Sequence, residues 1–356
     1  MERMRIVALA AFVVIVLVVI GAAAGHNHSS SSTTLQSHTS TSPPTSATQN
    51  YSASTTIQIQ SNSSTRLCFN SAANITAMRM AIYNGITCFR MDMHVNSPSD
   101  AAYIQNTSAM GAEWLGILDY ATVSGQNWTL SDWNTSVSEA IVQYPQIHEW
   151  EIWNEPDNFR STYQDWNATR YFYMMRSASV IIKSRYPNDT VVCFGGASTH
   201  PITGPNNMDT VEYEYIFYQQ AWDEGASRYC DAISLHPYDD YMQYNISKLG
   251  YNGTGLTMAG EWNYSLNLYE NLTHKPIWIT ETGLESPNSY SDNYEQPLYM
   301  RQAVGLLSSH PYVKRIYWFQ LASYPTFQWG LINLWPQFRP RPAWYIYINY
   351  SKNGTR

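Results

Sequence analysis

Two glutamates occupy matching positions in this chain. Glu155 closes the run His148-Glu149-Trp150-Glu151-Ile152-Trp153-Asn154-Glu155-Pro156, and Glu281 closes Lys275-Pro276-Ile277-Trp278-Ile279-Thr280-Glu281-Thr282-Gly283. Each run is built of β-favouring residues and stops at a breaker; Pro156 cannot continue a ladder and biases Glu155 towards an extended backbone. A carboxylate is therefore expected where each of two strands ends. Such a pair can divide the labour of acetal cleavage, one member protonating the leaving oxygen while the other stays ionised and attacks the carbon. The chemistry requires that the two strand ends meet.

The elements that must bring them together follow a regular alternation from residue 65 onward. Strands are expected over 66–69, 86–92, 113–118, the Glu155 run, 190–195, 231–236, 276–280 and 313–319. Helices are expected over 72–83, 99–110, 131–144, 163–185, 210–226, a segment ending at Leu272, 295–309, and a last one beginning near Pro342. Asn84-Gly85 has the form of a left-handed helix end, and Pro342 suits a first helical turn. Eight strand and helix pairs make a (β/α)8 barrel count, with an open doubly wound sheet as the lesser option. The barrel would place every strand's carboxyl end on one face. That face would then carry Arg90 and Asp92, Asn154 and Glu155, His236 and Tyr238, Glu281, and Trp318. Long loops over 200–209 and 239–260 could wall a cleft there.

Six stretches, in order along the chain, carry a family resemblance: Phe89-Arg90-Met91-Asp92, Trp153-Asn154-Glu155-Pro156, Leu235-His236-Pro237-Tyr238, Ile279-Thr280-Glu281-Thr282-Gly283, Tyr317-Trp318-Phe319 and Trp329-Gly330-Leu331. Taken together the chain resembles a retaining glycoside hydrolase of clan A, of the family 39 and family 5 kind. The resemblance implies Glu155 as acid/base, starting protonated through burial and the charge opposite, and Glu281 as nucleophile, kept ionised by Arg90 and the Tyr238 hydroxyl. It further implies Asn154 on the sugar 2-hydroxyl, His236 binding or orienting near the site, and Trp318 stacking on the sugar's apolar face. Retention would set the carboxylates about 5–5.5 Å apart. Each has a plainer alternative: Glu281 as a turn carboxylate, Arg90 in an ordinary ion pair, His236 as a structural histidine, Trp318 packed against the final helix. Trp150, Trp153, Trp329 and Trp335 read as core or rim, and Glu151 as a satisfied carboxylate inside the barrel. No β-sandwich is expected beside the barrel, which leaves the sugar open among β-glucan, xylan and mannan. No metal or organic cofactor is required, because two carboxylates suffice. Rival readings are a carbohydrate-binding surface protein without activity, and a transglycosylase using the same residues.

Composition narrows the setting. Charged residues are 13% of the chain, about half the usual share. About fifteen Asn-x-Ser/Thr sequons, from Asn27 to Asn353, offer glycans to keep such a surface soluble. A net charge of -7 with no basic stripe argues against a nucleic-acid partner. The apolar run from Ile6 to about Ala24 reads as a signal peptide or a membrane anchor, and residues 26–64 as a disordered Ser/Thr-rich stalk. A single catalytic domain is expected over 65–356, in an extracellular or surface-tethered monomer. Four cysteines fit export: Cys68 pairs with Cys88 and Cys193 with Cys230 across consecutive strands, with four small buried thiols as the alternative.

Overall fold

The computed structural model describes residues 65–353, apart from 71–73, 124–127, 158–165, 197–209, 239–257, 290 and 335–336. All of them belong to Ile57–Arg356, one of two units into which the chain divides. The expected anchor or signal segment, the stalk, the loop over 200–209, most of the loop over 239–260, and Trp335 lie outside the described residues.

Eight parallel strands close into a barrel in sequence order: β1 (Arg66–Asn70), β2 (Cys88–Asp92), β3 (Glu113–Leu118), β4 (Glu149–Ile152), β5 (Thr190–Gly196), β6 (Ala232–Leu235), β7 (Ile277–Thr282) and β8 (Val313–Phe319). A helix follows each: α1 (Ile75–Tyr83), α2 (Pro98–Ser108), α3 (Leu130–Gln143), α4 (Ala168–Arg185), α5 (Thr210–Asp223), α6 (Met258–Thr273), α7 (Gln296–Ser309) and α8 (Pro342–Asn353). The chain is a (β/α)8 barrel. Several of its helices start where side chains satisfy free backbone N–H groups. Asn74 caps α1, Thr129 and Asp132 form a reciprocal box at α3, and Asn167 caps α4. The turn before α7, Ser291–Glu295, is a single π-helical turn. Strand β7 runs two residues past its expected end, so Glu281 lies inside the sheet rather than just beyond it. A small sheet after β8, made of β9 (Ala322–Ser323), β10 (Ile332–Asn333) and β11 (Arg339–Pro340), was not foreseen; its strands are two residues each, too short to show a period.

The core has two parts. The larger lies between strands and helices; a smaller plug of Cys68, Cys88, Leu115, Val192, Ala232, Trp278 and Tyr317 forms a separate cluster of residues from six strands and from β7's Trp278. Side chains alternate along a strand, so stepping two residues up from plug members reaches a polar layer. Cys88 leads to Arg90, Ala232 to Ser234 and His236, and Trp278 to Thr280. Both disulfides form as expected. Cys68–Cys88 joins β1 to β2 within the plug, and Cys193–Cys230 ties β5 to the turn entering β6.

Candidate active site

Strand β4 ends in an unusual way. Trp153 and Glu155 both take positive φ, 72° and 48°, so Glu155 is left-handed rather than extended as the following proline would suggest. Packing holds this geometry. The Trp153 N–H donates to Leu118 O, and its ring lies 4.7 Å from that of Trp166, 5.7 Å from Trp128 and 5.8 Å from Trp133. From the β5 side Gly195 closes in, with φ of 76°. A Cβ on Gly195 would make only ordinary contacts, 3.4 Å from Glu151 Oε1 and 3.5 Å from the Glu155 nitrogen, so it is the positive φ rather than lack of space that favours glycine there.

Around these turns the charged groups form one network. Arg90 is wholly buried and its guanidinium donates in three directions: from Nε to Glu151, from Nη1 to Glu281 Oε1 at 2.5 Å, and from Nη2 to Asn154 Oδ1 at 2.8 Å. The Tyr238 hydroxyl donates to the other Glu281 oxygen at 2.9 Å. His236, also wholly buried, places Nδ1 3.1 Å from Glu155 Oε1 and Nε2 2.9 Å from the Thr280 hydroxyl, which donates to Glu151 at 2.9 Å. One ligand atom each from Glu155, His236 and Glu281 fall within 4.8 Å of one another.

The two glutamates are electrostatically unlike. Burial opposes ionisation of Glu281, but the charges of His236 and Arg90 and the hydrogen bonds from Arg90 and Tyr238 outweigh it, so its carboxyl titrates below the ordinary value. Glu155 keeps 28% of its side chain open against 12% for Glu281, so it is the carboxylate that solvent reaches more easily. Burial alone would depress His236, yet the facing carboxylates Glu281 and Glu155 reverse this and raise it. Glu155, His236 and Glu281 are also the one trio among the described residues with metal-ligand spacing. Each Glu281 oxygen already accepts one hydrogen bond, from Arg90 on one side and Tyr238 on the other, so a cation bound there would sit beside the Arg90 guanidinium.

Arg90, Asn154, Glu155, His236, Tyr238 and Glu281 thus meet in one network. Trp318 does not join it. It is wholly buried on the outer side of β8, with its ring 6.0 Å from Tyr299 of α7 and 6.3 Å from Tyr347 of α8, and offers no face for a sugar to stack on. The cause is alternation: Tyr317 points into the plug, so its neighbour points out. Phe319, one residue on, is the partly exposed ring, near Trp329 at 5.7 Å and Tyr238 at 6.5 Å. Counting by two along β8 reaches it only once the structure shows that Tyr317 points inward. Glu151 is the satisfied interior carboxylate that was expected. Thr280 was passed over because a threonine inside an apolar run gives no signal.

Asn70 and Asp119, at the ends of β1 and β3, were also missed. Burial pushes the Asp119 carboxyl well up, its Oδ1 accepts from the Ala121 N–H at 2.8 Å, and its Oδ2 has no hydrogen-bond partner; neither has the buried Asn70 amide nitrogen. Strand-end position alone would have marked both.

Comparison with known proteins agrees with this geometry. No curated protein matches in sequence. Among solved structures, a family 39 glycoside hydrolase from the gut symbiont Bacteroides cellulosilyticus WH2 is similar with a TM-score of 0.60 and 19% identity, over 82% of this chain and 64% of that one. The chain therefore spans somewhat less than two thirds of that enzyme's length. A monomeric β-xylosidase from Caulobacter crescentus CB15 is similar with a TM-score of 0.55 and 15% identity, over 80% of this chain and 67% of that one. A family 128 endo-β-1,3-glucanase from Amycolatopsis mediterranei gives 0.50 and 16%, over 80% and 98%. Identities this low establish the fold alone. The model of the glycosyl hydrolase catalytic core matches residues 122–329, more than half of the chain and including Asn154, Glu155, His236, Tyr238 and Glu281, and the protein belongs to that family.

Proposed function

We propose that the protein hydrolyses β-O-glycosidic bonds of an oligosaccharide or polysaccharide of the β-glucan, xylan or mannan type, with retention at the anomeric carbon. The observation that carries this reading is the pair Glu155 and Glu281, with carboxylate oxygens within 4.8 Å, one gripped by Arg90 and Tyr238 and the other facing His236. An inverting enzyme needs about 6.5–9.5 Å between its carboxyl groups to seat a water, whereas double displacement needs only about 5–5.5 Å.

In the first step Glu281 attacks the anomeric carbon while Glu155 passes its proton to the glycosidic oxygen, and the carbon–oxygen bond breaks to give a glycosyl-enzyme. In the second, Glu155 as carboxylate takes a proton from water, the water oxygen bonds to the anomeric carbon, and Glu281 leaves. The Asn154 amide, held by Arg90, leaves its NH2 group for the sugar 2-hydroxyl. Phe319 and Trp329 supply the apolar wall in place of Trp318. The reading extends to an exported, glycosylated and monomeric protein whose catalytic domain is 65–356.

Hydrolysis of a panel of aryl β-glycosides and β-glucans tests the assignment. Wild type should cleave at least one class, Glu281→Ala and Glu155→Ala should lose at least about 10^4-fold in kcat, and azide should rescue Glu281→Ala to give the glycosyl azide of inverted configuration. Sugar binding without cleavage, unaffected by either substitution, would instead favour a surface-binding protein.

A further inference from the structure

Hydrogen counting along the barrel interior leads from the nucleophile to the acid/base by a path that avoids the substrate. Glu151 accepts from Arg90 on one oxygen and from the Thr280 hydroxyl on the other. A hydroxyl has one hydrogen, and Thr280 gives it to Glu151, so towards His236 it can only accept. The nitrogen it faces, Nε2 at 2.9 Å, must therefore carry hydrogen. Nδ1 is left for Glu155, and a single proton serves the 3.1 Å contact between Nδ1 and Glu155 Oε1.

We propose that Thr280 and Glu151 are positioning residues of the acid/base: they fix which ring nitrogen of His236 is protonated and so keep the transferable proton in the contact with Glu155. This rests on the assignment of Glu155 as acid/base. Were the Thr280 hydroxyl absent, the ring could carry its hydrogen on Nδ1 instead and donate to the Glu155 carboxylate, which stabilises the ionised, wrong form of an acid. The groups facing the ring are Glu155 at the end of β4, Glu281 and Thr280 from β7, and Arg90 from β2, with Glu151 reached through the Thr280 hydroxyl. The same ring of contacts runs from Glu281 through Arg90 to Glu151, so loss of the Glu281 charge in the glycosyl-enzyme acts on the same wire that orients the acid.

The test uses the full chain as wild type, Thr280→Val and Thr280→Ser, with phenyl and 2,4-dinitrophenyl β-glycosides of glucose, xylose and mannose. The dinitrophenolate leaves without a proton, so it reports on everything except the acid. Thr280→Val should lose about 10²-fold or more on the phenyl glycoside while changing less than about threefold on the dinitrophenyl one, and the basic limb of its pH profile should move down by about one unit. Thr280→Ser should restore both. Equal loss on the two substrates with an unmoved basic limb would overturn the proposal. A second measurement does not need turnover: ring 15N shifts of His236, assigned by difference against His236→Asn, should show hydrogen on Nε2 in wild type. Hydrogen on Nδ1 alone would overturn the proposal whatever the activity. Failure of wild type to cleave any glycoside would end the functional reading while leaving this measurement to decide the tautomer.

Discussion

Glu281 shows what a single residue owes to its surroundings. A carboxyl buried this deeply should resist ionisation, yet Arg90, His236 and the Tyr238 hydroxyl face it and win. Because the folded value is lowered, activity that needs the ionised nucleophile persists below the ordinary glutamate range and is lost only as pH falls through the folded value. The stability that ionised Glu281 contributes follows the same course, present above the unfolded value and lost on acidification. Replacing Tyr238 by Phe removes one of the donors without removing the ring. The acid limb of kcat/KM should then move to higher pH, with roughly a tenfold fall at the optimum; pH-rate profiles of wild type and Tyr238→Phe measured side by side check this. An unchanged acid limb would mean that Arg90 and His236 alone set the nucleophile's ionisation.

At the scale of elements, β8 and β4 show opposite relations to strand regularity. Strand β8 keeps its alternation from plug to helix layer, and this sends Trp318 outward to pack between α7 and α8. Its truncation is therefore a core defect. Trp318→Ala should cost about 3–5 kcal/mol in chemical unfolding, while activity per folded molecule stays within a few-fold of wild type. A protein that kept its stability and lost its activity would place the ring back in the cleft. Strand β4 instead abandons regular geometry after Ile152, with left-handed backbone at Trp153 and Glu155. Single residues in that region cost of order 1 kcal/mol or more, and they persist because the four-tryptophan cluster and Gly195 leave the chain no other path.

For the whole molecule, closure of the barrel is what turns separate strand ends into a site. Each disulfide reinforces that closure by shortening the unfolded chain's options, over separations of 20 and 37 residues, which chain-entropy arguments place at about 3–4 kcal/mol apiece. Disulfides of this kind fit an oxidising compartment. Among the described residues no helix is long and apolar enough to cross a membrane. The export reading predicts that the full chain, expressed in its own cells, pellets with the membrane fraction or appears in the medium, and that deglycosylation lowers its apparent mass. A chain found soluble inside the cell, with unmodified mass, would refute it.

The sequence alone was enough for the barrel and for naming most of the residues that meet at its mouth. Period-two runs punctuated by breakers mark strands, helical spacing marks what lies between them, and eight such pairs leave little choice of architecture; even β3 and β8 have the expected limits. Residues with rare chemistry at strand ends, Arg90, Glu155, His236 and Glu281, were visible because a charge closing an apolar run has few reasons to be there. What sequence could not supply was facing and contact. Whether Trp318 or Phe319 meets the cleft depends on one residue of phase, which a run as uniformly apolar as Ile316–Phe319 does not reveal. The left-handed turn at Glu155 goes against its own local preference and exists only because residues from β5 and the helix layer crowd it. Thr280 acquires meaning only when the closed barrel sets Glu151 on one side of its hydroxyl and His236 on the other.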